Sequence, residues 1–135
     1  MANSLFNNGR EGFLDGSIDW DTGDIRVMLT LSSYTYDATD EFLADVPATT
    51  RDNGRSAALG SKTVTDGIAD AADTSLTATA ATASNALIIY QHTGSDATAR
   101  LIAYIDTATG LPLTPAAGGT VNIAWDNGAN KIFKL

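Results

Sequence analysis

Cysteine is absent from this 135-residue chain, and histidine occurs once, at position 92. The lack of cysteine excludes disulfide bridges, and together with the single histidine it leaves too few nitrogen and sulfur ligands for a zinc site. The longest uninterrupted apolar runs, residues 86–90 and 101–105, have five residues each, far fewer than a membrane span needs. Residues 1–10 lack a basic start followed by an apolar stretch, so we expect no secretory signal peptide.

Basic residues are scarce: eight Lys and Arg stand against sixteen Asp and Glu, which gives a net charge of -8. A chain of this charge repels phosphates, so we expect no nucleic-acid partner and no attraction to anionic membranes. Its 44% hydrophobic content is nevertheless that of a folded protein. The length suits a single domain.

The acidic residues are almost all aspartate, with fourteen Asp and only two Glu, and threonine occurs eighteen times. Aspartate favours turns and caps, whereas threonine has a high propensity for the pleated surface of a sheet. Apolar and polar residues alternate over 25–32, 74–80 and 121–125, as in half-buried strands. The composition and the alternation predict a mainly β fold, an antiparallel β-sandwich or a barrel-like domain.

Three turns are predicted to connect strands. Residues 87–90 and 101–105 flank a polar loop around Gly94, which indicates a hairpin of two central strands. Asp66-Gly67 is predicted to separate two short strands. Asn127-Gly128 follows an alternating segment, and this dipeptide favours a tight hairpin whose return strand would be residues 131–135.

The N-terminal segment has a different pattern. Residues 4–16 can form a short amphipathic helix capped by Ser4, although two glycines weaken it by about 1 kcal/mol each, so the helix needs a docking surface. We therefore expect residues 1–16 to form an arm or short helix, packed on or extending from a β-sandwich domain of residues 17–135. An extending arm could be removed and leave the domain folded.

No pattern in the sequence indicates catalysis. His92 is the one imidazole available as a general base, and it lies in a polar loop. Asp19, Asp21 and Asp24 have the spacing that opens a calcium loop, but Thr30 stands where the closing glutamate should be, and turn formation explains them better. We predict no catalytic residue, no metal site and no cofactor.

The aromatic residues divide into two groups. Trp125 and Phe133 share strand parity with aliphatic residues and are predicted to lie in the core. Trp20, Tyr34 and Tyr36 flank Asp-rich turns. There they serve equally well as partner-binding groups, as platforms that stack on a sugar, or as packing beneath a loop.

Four segments near the two ends of the chain carry a resemblance to known proteins. They are residues 4–21 (SLFNNGREGFLDGSIDWD), 24–27 (DIRV), 101–112 (LIAYIDTATGLP) and 121–133 (VNIAWDNGANKIF). These segments resemble a family of small tailed-bacteriophage virion proteins. The resemblance implies a virion structural component rather than an enzyme. Its implied place is on the head, as a decoration or cement protein, in a virion assembled in the host cytoplasm.

A cement protein binds the major capsid protein or another virion protein and stabilises the shell by bridging subunits. For that role the anchors would be apolar residues of the N-terminal segment and the three ambiguous aromatics, with two charged residues setting the register. The partner-binding set is Leu5, Phe6, Arg10, Glu11, Phe13, Leu14, Trp20, Tyr34 and Tyr36. Small side chains in the middle third are compatible with a homo-oligomer such as a trimer. Alternatives are a neck or tail component, or a surface carbohydrate-binding module.

Overall fold

The structure, a computed structural model, describes residues 3–135. The fold is mainly β, with antiparallel sheets and a short N-terminal helix, as the sequence predicts. In chain order the elements are β1 (Ser4–Leu5), α1 (Asn7–Asp15), β2 (Ile25–Leu31), a 3-10 helix (Leu43–Asp45), α2 (Ala48–Arg51), β3 (Thr63–Thr65), β4 (Ile68–Asp70), β5 (Thr74–Thr77), β6 (Ser84–Gln91), β7 (Leu101–Ile105), β8 (Thr120–Ile123) and β9 (Phe133–Lys134).

The central sheet has the strand order β1-β7-β6-β2, and every pair in it is antiparallel. The predicted hairpin of β6 and β7 forms its middle, which confirms that both are central strands. Residues 54–59 extend this sheet, because Ser56 N–H donates to the Val27 carbonyl and Leu59 N–H to that of Ile25. Ser56 also bridges to Leu76 in β5. The central sheet thereby continues into the β5–β8 pair.

Both faces of the central sheet are buried. On one face Val27, Leu29 and Ile89 pack with Leu76 of β5 and Ile123 of β8, so the sheets lie face to face as in a sandwich. The opposite face is covered by loops and the 3-10 helix. Strand and loop residues form a second core cluster there, which includes Phe6, Met28, Tyr34, Leu43, Val46, Ile88, Tyr90 and Tyr104. Strands buried on both sides explain the continuous apolar runs of β6 and β7.

A buried asparagine joins the loops at one end of this sheet. Asn53 is fully buried, and its amide nitrogen donates to the Thr82 carbonyl and the Ser84 hydroxyl. Its amide oxygen accepts from the backbone N–H groups of Thr79 and Ala80. These bonds satisfy both the donor and the acceptor side of the buried Asn53 amide, so Asn53 fixes the path of residues 79–84.

Two turn predictions have opposite outcomes. Asp66 and Gly67 both adopt positive φ, 54° and 78°, and join β3 to β4 in the predicted hairpin. The hairpin predicted at Asn127-Gly128 is wrong: β8 pairs with β5, and β9 pairs with β4. Neither Asn127 nor Gly128 has the positive φ that the tight turn requires, so the chain crosses to another sheet instead.

Candidate partner-binding surface

Helix α1 is held against β7 by Gly9 and by Phe6, the residue before the helix. Phe6 N–H donates to the Ile102 carbonyl, and Gly9 and Gly12 are buried. A Cβ at Gly9 would lie 2.8 Å from the Leu101 carbonyl oxygen, so glycine permits this close approach. The predicted cap is wrong: Ser4 lies in β1, and Phe6 occupies the N-cap position without a side-chain bond.

The first two predicted anchors are buried inside the chain itself. Leu5 is in β1, paired with Ala103 of β7, and only 9% of its surface is exposed. Phe6 is completely buried, and its ring lies 5.1 Å from that of Tyr36. The segment therefore packs on the body rather than extending from it. In this fold Leu5 and Phe6 contact the chain's own core.

Phe13 and Trp20 form an aromatic cluster with Phe133 near the C-terminus. The Phe13 ring is half-buried, 5.8 Å from that of Phe133, and Trp20 meets Phe133 edge-on at 5.2 Å. The Trp20 indole nitrogen donates to the Asp70 carbonyl. Trp20 is buried, and these two contacts join β4 to β9.

Tyr34 and Tyr36 also face inward, toward Tyr104. Their rings lie 6.0 and 5.2 Å from the Tyr104 ring at tilted angles. The Tyr34 hydroxyl donates to Asp40, and burial together with this bond raises the Tyr34 pKa. The Tyr36 hydroxyl donates to the Leu5 carbonyl. Trp20, Tyr34 and Tyr36 thus do not form the exposed coplanar row that a sugar-stacking platform requires.

The outward face of α1 carries the remaining three residues of the predicted set. Arg10, Glu11 and Leu14 are all exposed, and Leu14 is the helical neighbour of both others, four residues after Arg10 and three after Glu11. Leu14 is 88% exposed, more than any other large hydrophobic residue in the described chain. Arg10 donates to the Leu5 carbonyl at 3.3 Å, which ties its guanidinium to β1. We name this surface, Arg10, Glu11 and Leu14, the α1 face.

The two positions considered for chemistry in the sequence, the Asp19–Asp24 turn and His92, have structural partners. Asp19 accepts from the backbone N–H and hydroxyl of Thr22, which lowers the Asp19 pKa and closes a turn. Asp24 forms an ion pair with Arg26 at 2.9 Å. The His92 ring packs against Tyr90 with centroids 6.4 Å apart. Within residues 3–135 no group of three or more acidic, histidine or cysteine side chains is placed to hold a metal ion.

An ionic cluster, which sequence reasoning missed, ties the β6–β7 loop to the segment after α2. Asp96 accepts from Arg51 at 2.8 Å and from both terminal nitrogens of Arg55 at 2.8 and 2.9 Å. Arg55 also pairs with Asp52. Asp96 is more than forty residues from either arginine, so no local spacing in the sequence could reveal the cluster.

A cleft of about 650 Å³ opens between β8 and the loop that follows β7. Leu29 and Leu87 of the central sheet form part of its lining. Asp126 and Lys131 are its charged residues. Its other lining includes Ile105, Leu111, Leu113, Val121, Trp125 and Ile132. The cleft is assembled from distant segments, which is why the sequence does not reveal it.

No family model, no curated protein and no solved structure matches this chain. Residues 3–135 also contain no helix long and apolar enough to cross a membrane. A functional proposal therefore depends on the residues of this chain and on their geometry.

Proposed function

We propose that this chain is a structural component of a tailed-bacteriophage virion, a decoration or cement protein that binds the major capsid protein shell and stabilises it by bridging subunits. The terminal segments that resemble small virion proteins support this proposal. The structural observation that carries it is the α1 face, on which a leucine lies almost fully in water although its helix is firmly docked.

The α1 face has the composition of a small binding surface. Covering Leu14 would stabilise a complex by about 1.5 to 3 kcal/mol, since its side chain is almost wholly solvated in the free chain. Arg10 and Glu11 beside it can fix the register through charge pairs with the shell. Leu14 replaces the buried Leu5 and Phe6 as the apolar anchor.

The α1 face is too small to hold the chain on a shell alone. Nine helical residues span roughly 13 Å, whereas a specific interface buries about 800 Å² on each partner. Neighbouring surface must contribute, or several copies must bind together so that weak contacts combine.

Two alternatives use the same molecule differently. A neck or tail component would also need the α1 face but would occur in far fewer copies per particle. A surface carbohydrate-binding module would need an aromatic platform, and the three aromatics considered for it pack against other aromatic rings of the chain.

The proposal is tested on particles purified from cells that carry the gene. Mass spectrometry would measure the ratio of this chain to the major shell protein. We expect a ratio that corresponds to many copies on the head, and a ratio of about a dozen or fewer copies per particle would favour the neck or tail. Finding the chain free in the lysate and missing from finished particles would overturn the proposal.

The α1 face is tested by Leu14→Asp, with Leu135→Asp as the matched control at another exposed leucine. We expect Leu14→Asp to lower occupancy on particles at least tenfold, because a carboxylate cannot be covered by an apolar contact, and to leave thermal unfolding unchanged. The control should bind as the unaltered chain does. Full occupancy of Leu14→Asp would show that another surface makes the contact.

A further inference from the structure

Strand β3 is an edge strand, and its outer side pairs with no segment of the described residues 3–135. It lies at the edge of the β3-β4-β9 sheet, and all three of its residues are exposed. Val64, in its middle, is 59% exposed. No other segment within residues 3–135 pairs with β3. Natural proteins usually protect such an edge, because it is a template for another strand.

The backbone of Val64 faces that open side. The two-residue turn at Asp66-Gly67 makes Thr65 and Ile68 the closing, hydrogen-bonded pair of the hairpin. Pairs alternate along an antiparallel ladder, so Val64 and Ala69 form a non-hydrogen-bonded pair. The Val64 N–H and carbonyl therefore point away from β4 and are available to a further strand.

When two copies of β3 lie antiparallel, the residues around Val64 in one copy meet residues of complementary chemistry in the other. In an antiparallel pair centred on Val64, the Val64 residues of two copies lie opposite each other and exchange two hydrogen bonds. Thr63 then lies opposite Thr65 of the second copy. Lys62 and Asp66 flank the strand, so each end of the pair brings Lys62 of one copy near Asp66 of the other, and their opposite charges attract.

We propose that β3 is a self-association site that binds a second copy of this chain. Two copies join β3 to β3 about a two-fold axis and form one six-stranded sheet. The contact is isologous, since the same surface serves both copies, so it produces a pair and does not by itself grow into a ring or a filament. This inference does not rest on the virion proposal, although a pair would present two α1 faces to one shell.

The association is weak in dilute solution. Only a few residues from each copy take part, far fewer than the 20 to 30 per side of a standard interface. Val64 contributes the central apolar contact, and the two Lys62–Asp66 pairs lie in water. We therefore expect the pair at high protein concentration, and on surfaces that bring copies together.

The first test is sedimentation of the purified full chain at concentrations from about 10 μM to about 1 mM, a range suited to contacts of this size. We expect one concentration-dependent species of two copies. Val64→Pro should abolish it, because proline removes the N–H that faces the second copy and spares the hydrogen bonds between β3 and β4. Val64→Thr, which keeps that N–H, is the matched control.

As a control for folding, the thermal unfolding transition of both variants is compared with that of the unaltered chain. A monomer at every concentration would overturn the proposal, as would association that survives Val64→Pro. A dominant species of three copies would equally overturn it, because a two-fold contact yields pairs.

The second test addresses the register. Lys62→Glu places two carboxylates near each other at both ends of the pair, so we expect association to weaken at least fivefold at low salt. Asp66→Asn keeps a residue that tolerates positive φ and removes one charge, so its effect should be smaller, about twofold. Unchanged association in Lys62→Glu would exclude the register centred on Val64.

Discussion

At the scale of single residues, Asp96 shows how a charged side chain is made part of a fold. Its carboxylate accepts hydrogen bonds from Arg55 and Arg51, and these bonds together with the nearby positive charges hold its pKa below the usual range. Charge-assisted bonds of this kind are stronger than neutral ones. Asp96 thus fastens the β6–β7 loop, whose sequence alone predicts only a polar turn.

The lowered pKa of Asp96 makes stability depend on pH. A carboxylate with a depressed pKa in the folded state stabilises the fold above its unfolded pKa, about 3.9, and this contribution is lost as the pH falls through the lower, folded value. We expect Asp96→Asn to reduce the free energy of unfolding at pH 7 by about 1 to 3 kcal/mol. The deficit relative to the unaltered chain should shrink as the pH falls below about 4.

Urea unfolding between pH 7 and pH 2 measures both effects, since urea adds no salt that would screen the pairs. Asp21→Asn, at an exposed turn position, is the control and should change stability by less than about 0.5 kcal/mol at pH 7. A deficit of Asp96→Asn that stays constant down to pH 2 would contradict the assignment.

At the scale of elements, local signals predict strands better than they predict which strands pair. Alternation correctly predicts β2, β5 and β8, and Asp66-Gly67 correctly predicts a hairpin because its turn needs only two residues with positive φ. Asn127-Gly128 has equally good turn chemistry, yet β8 and β9 are each paired with a strand more than forty residues away. These pairings join segments that are distant in the chain, and no local pattern encodes them.

The lack of long-range information in local patterns also explains why only some of the predicted partner-binding residues are exposed. The sequence predicts a short helix with apolar residues, and α1 forms. Which of those residues faces out depends on β7, β9 and Tyr36, all distant in sequence. The prediction therefore contains Leu14, which is exposed, and also Leu5 and Phe6, which are buried.

Replacing Gly9 of α1 by alanine is expected to change stability in the opposite direction from the same replacement in an exposed helix. In an exposed helix, replacing glycine by alanine stabilises by about 1 kcal/mol. Here a Cβ would lie 2.8 and 2.9 Å from two backbone oxygens of β7, so the helix must move. We expect Gly9→Ala to destabilise the fold by about 1 to 3 kcal/mol.

Urea unfolding measures this change, and hydrogen exchange at the Phe6 amide, which donates to Ile102, locates it. Glu11→Ala, on the exposed side of the same helix, should be neutral within about 0.5 kcal/mol. A Gly9→Ala protein more stable than the unaltered chain would show that α1 is not packed on β7.

At the scale of the whole molecule, the N-terminal segment is part of the domain, which is the packed one of its two expected arrangements. β1 completes the central sheet, Phe6 fills one face of that sheet, and Phe13 joins the aromatic cluster on the other. Asn3 accepts from the backbone N–H of Asp106 and Thr107, which adds a further tie to the end of β7. One segment thus serves both cores and also carries the α1 face.

Deleting residues 1–14 is therefore expected to unfold the domain rather than to leave a folded body. Replacing one buried phenylalanine by alanine typically costs about 3 to 5 kcal/mol, against a total stability of about 5 to 15 kcal/mol for a domain. The deletion removes Phe6, Leu5 and the pairing with β7 together. Circular dichroism on heating should show no cooperative transition, whereas a transition near that of the full chain would contradict the prediction.

Two single changes separate folding from binding within that segment. Phe6→Ala should lower the free energy of unfolding by about 3 to 5 kcal/mol, and Leu14→Ala should leave it within about 0.5 kcal/mol, because one side chain is fully buried and the other is almost fully in water. Loss of particle binding by Phe6→Ala would consequently report a damaged fold. Loss of binding by Leu14→Ala with unchanged unfolding would show that Leu14 itself contacts the particle. Leu14→Ala is therefore the variant that tests the binding contact.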